Sequence, residues 1–207
     1  MPAGPRRGWD KAAARRRAAE DGEAGLRRAY LDIETNYTGS QTGQRQFTDY
    51  KNHRITVLGV RVVSGERDEF TQLIDPNITR KALELLLEGV ERMVTYNGRS
   101  KPEGMKGSVG FDFPVIGAQL GIMLDEEFEH TDLVPECWRR GLYGGQKKVE
   151  ATLGLKRQLP GRDGAWAMEM WRKYRETGER KCLQELLIYN KEDVYMLREI
   201  ELKLEKR

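Results

Sequence analysis

Three separated stretches of the chain carry side chains whose types could do chemistry together. The first is Asp32-Ile33-Glu34, two carboxylates two positions apart. In a strand, residues i and i+2 point to the same face. Both acids would crowd one side, where like charges repel and desolvation is costly. A strand that keeps such a pair needs a cation or a wet face; in the first case the pair can share a divalent metal. The second stretch is Asp112, at the expected start of a helix after a glycine-containing loop. It is either an N-cap, a position Asp favours, or a further carboxylate for the same cation. The third is Tyr189-Asn190-Lys191-Glu192-Asp193. Tyr189 and Asp193 are four apart and share a helical face with Leu186, Met196, Leu197 and Ile200. An Asp on an apolar stripe is a poor core residue unless something binds it; the Tyr alone reads as a core residue with its hydroxyl at the rim.

Taken together, four carboxylates and one hydroxyl from three segments are the equipment of a two-metal phosphodiesterase. In such a site two divalent ions about 3.5–4 Å apart stabilise the attacking and leaving oxygens of an in-line displacement. Composition narrows the metal. With 2 His and 2 Cys in 207 residues, a disulfide framework, a zinc ribbon and a His-rich site are excluded. Carboxylates must then do the ligating, and they select hard ions such as Mg²⁺ or Mn²⁺. His130, beside Asp132, reads as a structural hydrogen-bond partner rather than a ligand, and Cys137 and Cys182 as small apolar residues. Trp138, Trp166 and Trp171 read as packing residues rather than base-stacking platforms.

The elements that must position these groups follow from pattern. Residues 29–35 alternate like a strand, a polar loop runs from 36 to about 51, and 55–63 is rich in β-branched residues. Ser64-Gly65-Glu66-Arg67 is turn-like, with a return strand over 69–74. Thr79 can cap a helix through residue 87 whose buried stripe is Leu83, Leu86 and Leu87. A short strand at 92–96 leads into a Gly- and Lys-rich loop, 97–110. A helix over about 112–124 follows, with Pro114 tolerable in its first turn. Another strand is expected at 129–134, then helices at about 135–141, 146–153, 164–176 and 180–205. This order is that of an α/β domain, with five strands in a compact mixed sheet and the first strand at its centre.

These stretches resemble a known group. Leu31-Asp32-Ile33-Glu34-Thr35, then Tyr96-Asn97-Gly98 with Phe111-Asp112-Phe113-Pro114, then Tyr189-Asn190-Lys191-Glu192-Asp193 are similar to the three exonuclease motifs of the DEDD superfamily. The Tyr four residues before the last Asp is similar to the DEDDy branch. The closest likeness is to the YprB-type ribonuclease H-like family, which also covers His130-Thr131-Asp132-Leu133 and the stretch 148–155. The resemblance spans about residues 29–204. It implies a ribonuclease H-like fold, a five-stranded mixed sheet flanked by helices, and 3′–5′ exonuclease chemistry on DNA or RNA, with single-stranded 3′ ends as the expected substrate. By the same resemblance Asp32 would bridge both metals, Glu34 and Asp193 would hold the water-activating one, and Asp112 would serve the second. Tyr189 would orient the attacking water or help deprotonate it, and a free Tyr pKa near 10 favours orientation unless a metal lowers the pKa of the water. Thr35 and Asn36 would lie near the terminal nucleotide, and Asn97 would contact substrate. One departure stands out. The family runs from Tyr-Asn-Gly to Phe-Asp within a few residues, whereas here 99–110 intervenes, with Lys101 and Lys106 among glycines. That loop is either a strand-gripping flap or an insertion without a role.

Charge and length complete the reading. There are 36 Lys+Arg against 33 Asp+Glu, a net charge of +3. Residues 1–28 gather Arg6, Arg7, Lys11, Arg15, Arg16, Arg17, Arg27 and Arg28 without apolar periodicity. They are expected to form a flexible basic arm, solvated or touching nucleic acid phosphates, ahead of a single domain over 29–207. Arg139, Arg140, Lys147, Lys148, Lys156, Arg157 and Arg162 form a second basic region, either a solvated face or a phosphate-tracking groove. No apolar run suits a membrane span, the N-terminus lacks the h-region of a secretory signal, and two distant cysteines fit a reducing compartment. A cytoplasmic protein is expected. Three alternatives stay open: a structure-selective ribonuclease or endonuclease on the same fold, a nucleic-acid-binding module without catalysis, and a small-nucleotide phosphodiesterase.

Overall fold

A computed structural model describes residues 26–99 and 110–206, apart from the side chain of Gln44. The basic arm up to residue 25 and nearly all of the inserted loop lie outside the described residues. Five strands form one sheet: β1 (Arg28–Tyr37), β2 (His53–Ser64), β3 (Arg67–Ile74), β4 (Arg92–Thr95) and β5 (Glu129–Asp132). Their order is β3-β2-β1-β4-β5. β1 and β2 pair antiparallel, as do β2 and β3, while β1–β4 and β4–β5 are parallel. The mixed sheet with its first strand central is the architecture the pattern implies. The helices are α1 (Arg80–Leu86), α2 (Asp112–Leu120), α3 (Leu124–Glu127), α4 (Leu133–Trp138), α5 (Gln146–Thr152), α6 (Gly164–Thr177) and α7 (Arg180–Glu205).

The period of two in β1 sorts the protein into layers. Ala29, Leu31 and Ile33 face one way, into a core with Leu83 of α1, Leu87 just past its end, and Phe113, Val115 and Ile116 of α2. Tyr30 faces the other way, against Val194, Leu197 and Ile200 of α7 and Leu133 and Val149 of α4 and α5. Asp32 and Glu34 continue the Tyr30 face, so the side covered by α7 turns from apolar to acidic along the strand. α7 brings a third cluster, in which Leu186 and Tyr189 pack with Ala167, Met170 and Trp171 of α6 and with Val57 of β2.

Several boundaries differ from the pattern. β1 runs on to Tyr37, and the expected loop contains two 3-10 turns, Gly43–Thr48 and Tyr50–Asn52. The helix expected over 112–124 ends at Leu120, because Gly121 takes φ 67° and stops it in the left-handed region. The strand expected over 129–134 stops at Asp132, whose carboxylate caps α4 by accepting from the Val134 N–H. Leu86 is only partly buried, so the stripe of α1 rests on Leu83 and Leu87. Arg27 and Arg28 are part of the fold: the Arg27 carbonyl accepts from the N–H groups of Glu91 and Arg92, and Arg28 pairs with Glu201 and Glu205 at the end of α7. Among the described residues no helix is long and apolar enough to cross a membrane.

Candidate active site

β1 pairs with β4 only through Tyr30, opposite Val94. Beyond that point the carboxyl half of β1 has β2 on one side and an opening on the other, the position where α/β sheets commonly hold ligands. The ladder with β2 also slips at this end. Glu34 lies opposite Val57 and Thr35 opposite Ile55, which leaves Thr56 as the extra residue of a bulge. A bulge bends the strand and re-aims its side chains, here at the two acids.

Asp32, Glu34 and Asp193 each offer an oxygen within 4.8 Å of the others. Glu34 and Asp193 are buried and Asp32 is partly so. Desolvation raises the Asp32 carboxyl well above its ordinary range, and Asp193 adds to this, against the pull of Lys147, Arg157 and Asn190. Glu34 is raised in the same way by burial, then by Asp32 and Asp193. Its Oε1 is buried and has no hydrogen-bond partner among the described residues. A buried carboxylate oxygen left unpaired costs several kcal/mol. Hard-cation ligation would remove both the orphan and the repulsion.

α7 delivers Asp193 and is registered on the sheet by Asn190. The Asn190 side chain is fully buried and donates from Nδ2 to Asp32 Oδ2 at 2.9 Å. Its Oδ1 accepts from Gln72 of β3 at 2.9 Å. This approach needs Gly59, the residue opposite Asp32 in β2: a Cβ there would lie 2.4 Å from Asn190 Oδ1 and 2.8 Å from Val194 Cγ2. One turn before Asp193, Tyr189 is 2 % exposed and packs on Trp166 with ring centroids 5.5 Å apart. Its phenol is pushed up far beyond the ordinary value by burial and then by Asp193, Glu34 and Asp32.

The fourth acid comes from the opposite side. Asp112 is the first residue of α2, and the N-cap position belongs to Phe111, which makes no side-chain cap. The Asp112 carboxylate is therefore not used as a cap. It is raised well above its ordinary value by burial, then by Asp32, Asp132 and Asp193. It lines the same cleft as the other three without joining their 4.8 Å cluster. The inserted loop leaves and returns through a clasp: Phe111 N–H donates to the Asn97 carbonyl and Phe113 N–H to that of Gly98, both at 2.9 Å. Asn97 adopts φ 65°, a conformation Asn tolerates, and its N–H donates to Asp132 Oδ1. The insertion thus leaves Asn97 and Asp112 on one rim.

The cleft has a volume of about 480 Å³ and is lined by the acids together with Tyr96, Asn97, Phe111, Trp138, Lys147 and Tyr189. A neighbouring cavity of about 460 Å³ shares Glu34, Phe47 and Phe111 and adds Thr35, His53 and Met168. Thr35 meets His53 Nδ1 at 3.1 Å. The other ring nitrogen, Nε2, faces the Gln46 carbonyl at 2.9 Å, so it carries the proton and Nδ1 accepts from the Thr35 hydroxyl. Asn36 lines neither cavity.

Two cations reach Asp193. Arg157 is 7 % exposed and forks onto Glu150 at 2.5 and 2.6 Å while its Nη2 also donates to Asp193 Oδ1. Lys147 Nζ lies 3.2 and 3.3 Å from the two Asp193 oxygens and 4.6 Å from the centre of the Tyr189 ring.

The match with known families agrees with this geometry. The model of the RNase_H_2 family, part of the ribonuclease H superfamily, covers residues 29–204. The chain belongs to the ribonuclease H superfamily. Its domains are typically nucleases that act on nucleic acid with divalent metals. A comparison with curated proteins finds no match. The donor set of this RNase H-like domain suits such a metal: oxygen ligands only, mutually repelling, with one buried oxygen unpaired.

Sequence reasoning brought Asp32, Glu34, Asp112, Tyr189 and Asp193 to one site but gave no role to Asn190, Gly59, Glu150 or Phe47. Gly59 was the available signal for Asn190, since a glycine inside a β-branched strand marks a close approach. Arg157 and Lys147 lie in a basic stretch of sequence that, for Arg139 and Arg140, resolves into surface pairs with Glu136. His130 is a structural hydrogen-bond partner as expected, meeting Thr95 Oγ1 at 2.8 Å. Cys137 and Cys182 are buried and free. Trp171 belongs to the core and Trp166 backs Tyr189, whereas Trp138 faces the cleft.

Proposed function

We propose that this RNase H-like domain is a metal-dependent 3′–5′ exonuclease of the DEDDy type, closest to the YprB-type proteins, acting on single-stranded 3′ ends of DNA or RNA. The observation that carries the reading is the cluster of Asp32, Glu34 and Asp193, the latter two buried, with Glu34 Oε1 unpaired. Asp32, Glu34, Asp112 and Asp193 would hold two Mg²⁺ or Mn²⁺ ions. When bound, the ions supply charge neutralisation and a water of lowered pKa.

The protein's own groups do the positioning. Asn190 fixes the Asp32 carboxylate through its 2.9 Å hydrogen bond. The Arg157–Glu150 pair fixes Asp193 from behind. Tyr189 stays protonated because its surroundings raise its pKa. It serves as a hydroxyl that orients the attacking water, not as a base. Phe47, Phe111 and Trp138 offer aromatic faces along the two cavities, suited to sequence-tolerant stacking of bases. Thr35 and Asn97 remain as substrate contacts, and Asn36 is given none. The basic arm, shortened by Arg27 and Arg28, which belong to the fold, would add phosphate contacts outside the domain, and the free cysteines fit a cytoplasmic setting.

The test is a linear single strand labelled at its 5′ end against a circular strand of the same sequence, both with Mn²⁺. The reading expects stepwise shortening of the linear strand and an intact circle. Cutting of the circle would assign an endonuclease. Binding without any cleavage would assign an inactive binding module.

A further inference from the structure

The mechanism above uses Arg157 but leaves Lys147 without a task, although its ammonium sits on the same carboxylate. The two cations differ in how they are held. The Arg157 guanidinium is buried and committed to Glu150 by two hydrogen bonds. The Lys147 side chain is 35 % exposed, lines the cleft, and contacts Asp193 and the face of Tyr189. A compact ammonium on a four-carbon stem is mobile where a forked guanidinium is not.

We infer that Lys147 has two partners in turn: it is the counter-ion of Asp193 while the carboxylates lack metal, and it binds the substrate's phosphodiester once they are loaded. This rests on the exonuclease reading. Divalent ions on Asp32, Glu34 and Asp193 would reverse the local charge, and the ammonium would be repelled from Asp193. The cleft it already lines is where the anionic backbone must lie, and a lysine binds phosphate as a point charge. Tyr189 stays beside it in either position, because its ring is locked between α7 and Trp166.

The two roles predict opposite effects on two ligands, which a merely structural residue would not produce. Lys147→Met and Lys147→Gln remove the charge at a partly exposed position, and thermal melting verifies that each variant is folded. Titration of Mn²⁺ into protein alone should then show Kd falling about 3- to 10-fold, because a competing cation is gone. Binding of a single-stranded oligonucleotide in Ca²⁺, which occupies hard-cation sites and suppresses turnover, should weaken about tenfold. The slope of log K against log salt should shrink by about 0.7, the value for one lost phosphate contact on a single strand. Weaker or unchanged Mn²⁺ binding, or an unchanged salt slope, would overturn the inference while leaving the exonuclease reading intact. Wild-type protein that binds Mn²⁺ no better than Asp32→Asn would instead remove that reading, and the inference with it.

Discussion

Gly59→Ala tests whether the acidic site depends on how closely α7 approaches the sheet. Gly59 lies opposite Asp32 in the β1–β2 ladder. An added Cβ would meet Asn190 Oδ1 at 2.4 Å, Val194 Cγ2 at 2.8 Å and Asn190 Cγ at 3.2 Å. Real Cβ contacts are essentially never under 3.0 Å, so Asn190 and the helix that carries it must move by several tenths of an ångström. Overpacking of this kind costs about 1–3 kcal/mol. Replacing a strand glycine by alanine returns about 0.5–1 kcal/mol of backbone entropy. The net loss is centred on about 1 kcal/mol within a range of about 0–2.5 kcal/mol, which corresponds to about 2–4 °C in Tm at the centre for a domain of this size. Activity should fall further than stability does, because the displaced group is the one that holds Asp32 and its neighbours on α7 are Tyr189 and Asp193. The assay is Tm and nuclease rate for Gly59→Ala, Asn190→Ala and the double variant. Removing the Asn side chain frees the space, so the double variant should lose at least about 1 kcal/mol less than the two single losses added. Strict additivity, or a Gly59→Ala protein with wild-type Tm and rate, would refute the close-approach reasoning.

Three further predictions concern separate groups. Arg157→Met leaves Glu150, 2 % exposed, without its partner; urea unfolding should show a loss of about 3 kcal/mol, with Asp193 also set loose and the nuclease rate reduced. His130 has its pKa pushed down to about 4 by burial, against about 6.5 in the unfolded chain. The unfolded state therefore binds the proton first as pH falls, and stability conferred by the neutral ring is lost between pH 6.5 and 4. Relative to His130→Gln, wild-type stability should drop by about 2–3 kcal/mol from pH 7 to pH 4.5 in urea melts, and parallel pH profiles would contradict this. Tyr189→Phe keeps the packing against Trp166 and removes only the hydroxyl; kcat should fall about 10²-fold with KM and Tm little changed, measured by steady-state hydrolysis.

The parts of the fold legible in the sequence were those set by local periodicity. Alternation along β1 put Asp32 and Glu34 on one face, and the four-residue spacing put Tyr189 and Asp193 on another. The hairpin of β2 and β3 and the parallel return of β4 then fix β1 at the centre. What was not legible depends on partners distant in sequence. Arg157 looks like a surface residue among other basic ones until Glu150 and Asp193, 7 and 36 positions away, fold around it. Asn190 sat inside a recognised motif, yet its task is set by Asp32, 158 positions away. The break at Gly121 was within reach of the sequence, since a glycine at the end of an apolar stripe is the usual left-handed stop. Asp112 could have been an ordinary cap; only the geometry, with Phe111 at the cap position, frees its carboxylate for the cleft.

The most direct measurement is release of label from the 3′ end of a single-stranded oligonucleotide, with Mn²⁺ and with EDTA, by wild type, Asp32→Asn and Asp193→Asn. The account predicts one-nucleotide release by wild type only with metal, and a loss of about 10²-fold or more in each variant. Asp32→Asn should retain or exceed the wild-type Tm without metal, since it removes a repelling charge from the cluster, whereas Asp193→Asn also weakens the ion pairs with Arg157 and Lys147 and should lower it. Cleavage that persists in EDTA, or that survives at the wild-type rate in both variants, would contradict the assignment of these carboxylates as a metal-dependent phosphodiesterase site.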